Sequence, residues 1–99
     1  MLVVGQRHNY TRFGGIVVGR HNTTSGDYAS VSGGGGNSAG ATYASVSGGI
    51  DNIASRQGAS VSGGQENSAS GDFASVSGGR DREAGGIYDW QAGLLFQTE

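Results

Sequence analysis

Three carboxylates stand at one interval: Asp51, Glu66 and Asp81 are each 15 residues apart. If that step is one turn of a repeating fold, the three side chains stack in a column, with neighbours about 5 Å apart. Like charges so close repel, and a divalent cation with oxygen ligands relieves the repulsion; calcium suits such ligands. The column is therefore a candidate calcium site. The alternative is a solvated column screened by salt and by Arg80 and Arg82. No other constellation offers chemistry. His8 and His21 are the only histidines, each inside an Arg-His-Asn triplet, and read as turn residues. Ser45, Ser60 and Ser75 recur at the same step, whereas a nucleophile is singular and needs a base beside it. Glycine strings that resemble a phosphate cradle arise by chance among 21 glycines, and none opens a helix. Neither enzyme activity nor a cofactor is expected.

The elements that carry these residues follow from the repeat itself. Val31, Val46, Val61 and Val76 keep the 15-residue step, and Ile16 continues the series backwards. Asn22, Asn37, Asn52 and Asn67 form a second column, broken at Arg82. Ala39, Ala54, Ala69 and Ala84 form a third, preceded by Thr24. Gly19, Gly34, Gly49, Gly64 and Gly79 form a fourth. An aromatic column runs Phe13, Tyr28, Tyr43, Phe73 and Tyr88, interrupted at Gly58. The unit is V-S-G-G-x-x-N-x-A-x-x-x-(Y/F)-A-S. In the first copy, "VVGQRHN" against "VVGRHN" reads as a slip of one residue.

Glycine pairs and β-branched residues at these positions exclude a helical repeat. Ala44-Ser45-Val46-Ser47-Gly48 alternates instead, the period of a strand. Asn52 falls where a turn wants a residue tolerant of left-handed φ. A second short strand holds Ala54, and residues 55–57 turn the chain back. Two short strands and two turns make one coil of an all-β solenoid, about six coils of 14–15 residues. Residues 1–88 form the repeat domain. Residues 89–99, with Trp90, Leu94, Leu95 and Phe96, form a C-terminal cap or tail. One valine, a few alanines and one aromatic per coil make a thin core, which predicts several chains sharing one interior.

Composition narrows the partners. A net charge of −2 leaves no basic patch for nucleic acid. No run of about 18 apolar residues spans a membrane. The start lacks the charged and small-residue features of a signal peptide and reads as the middle of a repeat, so the chain is expected to be a piece of a longer protein. The sequons at Asn9 and Asn22 are expected to be coincidental.

The central copies, such as "SVSGGQENSASGDFASV" at 60–76, and "GGIVVGRHNTTSGDYASV" at 14–31, resemble the head repeats of trimeric autotransporter adhesins, the YadA-like group. The shared letters are the Ser-Val, the Gly, the Ala and the Ser-Gly. The central copies depart by Gly in place of a second aliphatic and by a period of 15 where 14 is usual. The resemblance spans residues 3 to about 88. It implies a left-handed parallel β-roll, a homotrimer, and display at the cell surface or outside a bacterial cell. It implies a non-enzymatic head or stalk module presenting variable turns to an extracellular protein or glycan of a host, matrix or biofilm. Similar repeats occur in phage tail fibres, which gives a structural segment as the alternative. Ice binding by a flat repetitive face is a lesser one. The variable slots are Arg20-His21, Gly35-Gly36, Ile50-Asp51, Gln65-Glu66 and Arg80-Asp81. The aromatic column is expected either to pack against the next coil or a neighbouring chain, or to offer exposed rings to sugars.

Overall fold

A computed structural model of the chain describes residues 2–10, 15–88, 90 and 91. Phe13 and residues 92–99, with Leu94, Leu95 and Phe96, lie outside them. One apolar residue flanked by serine and glycine sustains only a short strand, and most strands are two residues long. They are β1 (Leu2–Gln6), β2 (Asn9–Tyr10), β3 (Ile16–Arg20), β4 (Thr23–Thr24), β5 (Ser30–Val31), β6 (Ser38–Ala39) and β7 (Ser45–Val46). β8 (Ile53–Ala54), β9 (Ser60–Val61), β10 (Ser68–Ala69), β11 (Ser75–Val76), β12 (Glu83–Ala84) and β13 (Trp90–Gln91) follow. Odd strands stack in order into a seven-stranded sheet and even strands into a six-stranded one. The pairing is parallel throughout, each strand meeting its equivalent in the next coil. The chain is a β-solenoid. Strand stacking continues through β13, which pairs with β11.

The interior lies between the two sheets, and the smallest Cα extent of the molecule is 12 Å. Only small side chains fit so narrow a space. Val17, Val31, Val46, Val61 and Val76 fill one column at 0% exposure, and Ala29, Ala44, Ala59 and Ala74 a second. Thr24, Ala39, Ala54, Ala69 and Ala84 fill a third, from the opposite sheet. This enclosure is complete within one chain. The missing bulk is supplied by asparagine.

Asn22, Asn37, Asn52 and Asn67 are 0–1% exposed. Each carries the same bonds. Asn37 Nδ2 donates to the Gly33 carbonyl of its own coil and to the Gly49 carbonyl of the next, both at 3.0 Å. Its Oδ1 accepts the backbone N–H of Asn52 at 2.9 Å. The pattern runs from Asn22 to Asn67, whose Oδ1 accepts the Arg82 N–H at 2.9 Å. A Cβ on Gly49 would overlap the carbonyl oxygen of Gly64 and press on Asn52 Nδ2, and its φ is 89°, so glycine is required where the ladder crosses between coils.

Two register expectations are corrected, and the one-residue slip between the Arg-His-Asn triplets is present in the pairing. The valine column continues to Val17, which pairs with Val31; Ile16 is 38% exposed on the outer face. The two Arg-His-Asn triplets are out of register, since Gly5 pairs with Gly19 and Asn9 with Thr23. His8 thereby occupies the asparagine column. Its Nδ1 accepts the Asn22 N–H at 3.3 Å and its Nε2 donates to the Val4 carbonyl at 2.6 Å, imitating two of the three asparagine bonds. Finally, the asparagines are not the left-handed residues. Those are the residues just before them, at positive φ in Arg7, His21, Asp51, Glu66 and Asp81, with Gly36 in the same column.

The added residue of the longer coils has a local effect. β1 and β3 are continuous five-residue strands. From Val31 onward an extra glycine (Gly33, Gly48, Gly63 or Gly78) interrupts the ladder, leaving a two-residue strand and an isolated bridge at Gly35, Ile50, Gln65 or Arg80. This is the arrangement of a bulge. A Cβ on Gly48 or Gly63 meets nothing within 4 Å and neither has a positive φ, so neither crowding nor a left-handed backbone requires glycine there.

A fully buried valine contributes roughly 1.5–3 kcal/mol. Three hydrogen bonds at about 1 kcal/mol each put one asparagine on the same scale, and removing it also orphans buried N–H and C=O groups. Replacing Asn52 with Ala is expected to cost about 3 kcal/mol or more in urea unfolding, whereas Asn52→Asp loses the two donated bonds and costs at least as much. Thr24 Oγ1 is buried with no partner in a column otherwise made of alanine. Thr24→Val, of the same shape, is expected to raise the unfolding free energy by about 1 kcal/mol.

Candidate functional site

Inward positions are committed to the solenoid, so chemistry is left to the turn edges and outer faces. Each coil has two turns, and each turn contains one residue at φ of 56–68°, apart from the crowded glycines such as Gly49. At the first edge these are Arg7, His21, Gly36, Asp51, Glu66 and Asp81. At the second they are Tyr28, Tyr43, Gly58, Phe73 and Tyr88. A left-handed residue without glycine's freedom costs roughly 1–2 kcal/mol. The conformation turns its N–H back toward the preceding coil, where it is used: Asp51 N–H donates to the Gly35 carbonyl and Phe73 N–H to the Gln57 carbonyl, at 3.0 and 2.9 Å. Neighbouring residues donate forward, as Ser45 does to Ala59. Each coil is therefore bonded in both directions, and because the demand is on the backbone, the side chains at the two edges are free to differ.

The candidate calcium ligands Asp51, Glu66 and Asp81 do share one column and all are exposed. Their backbones are tied in sequence, Glu66 N–H to the Ile50 carbonyl and Asp81 N–H to the Gln65 carbonyl. Among the described residues, however, no three His, Cys, Asp or Glu side chains gather closely enough to hold a metal ion. The column instead forms one end of a polarised edge. Arg7, Arg20 and His21 stand at the other end, and Gly35 and Gly36 between. An open notch of about 810 Å³ lies at these glycines, flanked by Arg20 and His21 on one side and Ile50 and Asp51 on the other. A Cβ on Gly36 would meet the Asp51 carboxylate, which leans into the notch.

At the second edge, Tyr28 and Tyr43 stack with centroids 5.6 Å apart and planes at 11°, and Phe73 and Tyr88 at 5.4 Å and 12°. The rings pack against the next coil and are also about half exposed or more, 48% at Phe73 and 75% at Tyr88. Gly58 divides the two stacks. A Cβ there would overlap the Phe73 ring. Beside the gap, Arg56 Nε meets Asp72 Oδ1 of the next coil at 3.2 Å, an ion pair that the repeat pattern gave no sign of.

The outer face of the seven-stranded sheet is different in kind. Ser30, Ser45, Ser60 and Ser75 stand half-buried beside exposed Ser32, Ser47, Ser62 and Ser77, and Trp90 Nε1 donates to Ser77 Oγ at 2.7 Å. No charged residue occupies these positions. The sequon at Asn22 is used by the fold, since that side chain is buried and hydrogen-bonded.

No protein-family model matches this chain, and no curated protein is significantly similar to it.

Stacked aromatic pairs contribute about 0.5–1.5 kcal/mol beyond their burial. A double-mutant cycle over Tyr28→Ala and Tyr43→Ala is expected to return a coupling of about 1 kcal/mol, and one over Tyr43→Ala and Phe73→Ala close to zero, since Gly58 parts them.

Proposed function

We propose that this chain is a non-enzymatic head or stalk module of a bacterial cell-surface adhesin, a left-handed trimeric β-roll whose turn edges meet an extracellular protein or glycan. The observation that carries the reading is the division of labour within each coil. Valine, alanine, asparagine and glycine recur inward, while the two left-handed columns change from coil to coil and are exposed. A scaffold built so presents differences on a constant frame, which is what a recognition rod needs. The sequence resemblance to YadA-like heads supports the same reading and supplies the trimer, the handedness and the cell-surface setting.

The uncharged serine face suits the contact between chains. Its small side chains permit close approach, and hydroxyls can pair across it. A second reading, a structural segment of a phage-like tail fibre, is favoured by the asparagine column from Asn22 to Asn67, which serves rigidity and needs no ligand. Flanking sequence separates the two: a membrane-anchoring β-barrel downstream belongs to an adhesin, neighbouring baseplate components to a fibre.

Light scattering on the eluted chain is expected to give the mass of three chains, and Ser60→Arg, in the middle of the serine face, is expected to give single chains that keep their β signal in circular dichroism. A wild-type chain that is folded and single overturns the trimer. An array of glycans and matrix proteins is expected to show binding that Tyr43→Ala or Phe73→Ala weakens; background signal across the array overturns the adhesin reading and leaves the fibre.

A further inference from the structure

The first turn edge is complementary to itself. Its left-handed column reads, coil by coil, Arg7, His21, Gly36, Asp51, Glu66, Asp81. The adjoining column, bridged from coil to coil, reads Gln6, Arg20, Gly35, Ile50, Gln65, Arg80. Base stands at one end, acid at the other, and a gap of two glycines beside an exposed isoleucine near the middle. Ile50 is 54% exposed, and the notch at Gly35 and Gly36 lies in the coil next to it.

We propose that two copies of this chain associate through this edge, antiparallel, about a two-fold axis lying between the coil of Gly36 and the coil of Asp51. A two-fold there sets coil against coil in reverse order. Arg7 faces Asp81 of the second copy, His21 faces Glu66, and Asp51 faces Gly36. In the adjoining column Arg20 faces Gln65, Ile50 enters the notch at Gly35, and Arg80 faces Gln6. No like charges stand directly opposed, and Arg80, the base within the acidic half, meets an amide. Each contact occurs twice, as an isologous interface requires. A parallel arrangement about the same edge sets Arg7 against Arg7 and Asp51 against Asp51, and is repelled.

The magnitude follows from the dimensions. Five steps of about 4.8 Å give an edge about 24 Å long. The molecule is 12 Å across at its thinnest, so the patch is far below the roughly 800 Å² per partner of a standard stable interface. The association is therefore weak, with Kd about 0.1–1 mM, and dependent on salt, because exposed pairs contribute most of the specificity. It uses a surface separate from the serine face and does not rest on the adhesin reading. Whatever the basal assembly, it reads as a doubling of that mass.

Sedimentation equilibrium tests it, with the wild-type chain from low to millimolar concentration and with two charge variants. In one, Glu66→Lys and Asp81→Lys leave Asp51 as the one acid of the edge columns and make the rest of their charge basic; in the other, Arg7→Glu and His21→Glu make most of it acidic. The wild type is expected to double its mass with rising concentration and to stop doing so at high salt. Each variant alone is expected to lose the doubling. An equimolar mixture of the two is expected to regain it, about tenfold tighter than either alone. That recovery requires both variants to be folded, so misfolding cannot imitate it. Ile50→Asp is expected to weaken the wild-type association. A wild type that keeps its basal mass up to about 2 mM, or a mixture no tighter than its components, overturns the proposal, and so does a doubling that neither variant changes.

Discussion

The asparagine ladder is the interaction on which the rest of this molecule depends. A coil of 14 or 15 residues encloses too little space for a conventional apolar core, and valine and alanine alone do not tie one coil to the next. An amide side chain does both. It fills the corner of the coil and satisfies three backbone groups, two of them in the following coil. The geometry that allows this sets the neighbouring residues. The carbonyl of the next coil that receives Nδ2 belongs to a residue that must approach closely, so glycine stands there, as at Gly34, Gly49 and Gly64, and the left-handed residue before each asparagine swings its own N–H back to the coil behind.

Strain in the two turn columns is accepted for the same reason. Nine non-glycine residues lie at φ of 56–61°, a conformation L-residues seldom take. Stacking makes it tolerable because His21, Tyr43, Asp51, Glu66, Phe73, Asp81 and Tyr88 donate their N–H to the equivalent carbonyl of the coil behind, and at the second edge Tyr28 lies over Tyr43 and Phe73 over Tyr88. Where the column lapses to glycine, at Gly36 and Gly58, the backbone does not change, and only the surface does. Variation at these edges thus alters what is presented without altering what holds it.

Much of this was legible in the sequence, for a physical reason. A residue buried in a stacked column faces a copy of itself, so its identity recurs, and the valine, alanine and asparagine columns announce both the coil length and the inward face. What was not legible is what recurrence hides. Ile16 looked equivalent to Val31 because both are aliphatic, yet the shorter coil has no bulge glycine, and Val17 is the residue that points inward. His8 was hidden by the repeated Arg-His-Asn triplet, although an imidazole offers an acceptor and a donor at opposite corners and so replaces an amide. The acidic column was visible as a column, but whether its carboxylates converge depends on side-chain direction, which spacing does not supply.

The ladder also has a direction, and its ends differ. Each asparagine accepts, at its Oδ1, the N–H of the coil after it, so a coil needs an acceptor-bearing residue behind it. At the N-terminal coil the residue is His8, whose Nδ1 supplies the acceptor with one bond fewer than an amide makes. At the far end Arg82 donates its N–H to Asn67 Oδ1 and, having no acceptor on its side chain, passes nothing on. Its Nε is buried without a partner, and the next strand places Gln91 opposite Val76, a polar residue following a valine column. Within the described residues the asparagine ladder therefore runs as far as Arg82, a residue that can receive it and not continue it. The charge on the first edge is divided between the same two ends, so the polarity of the backbone bonding and the polarity of the surface run along one axis.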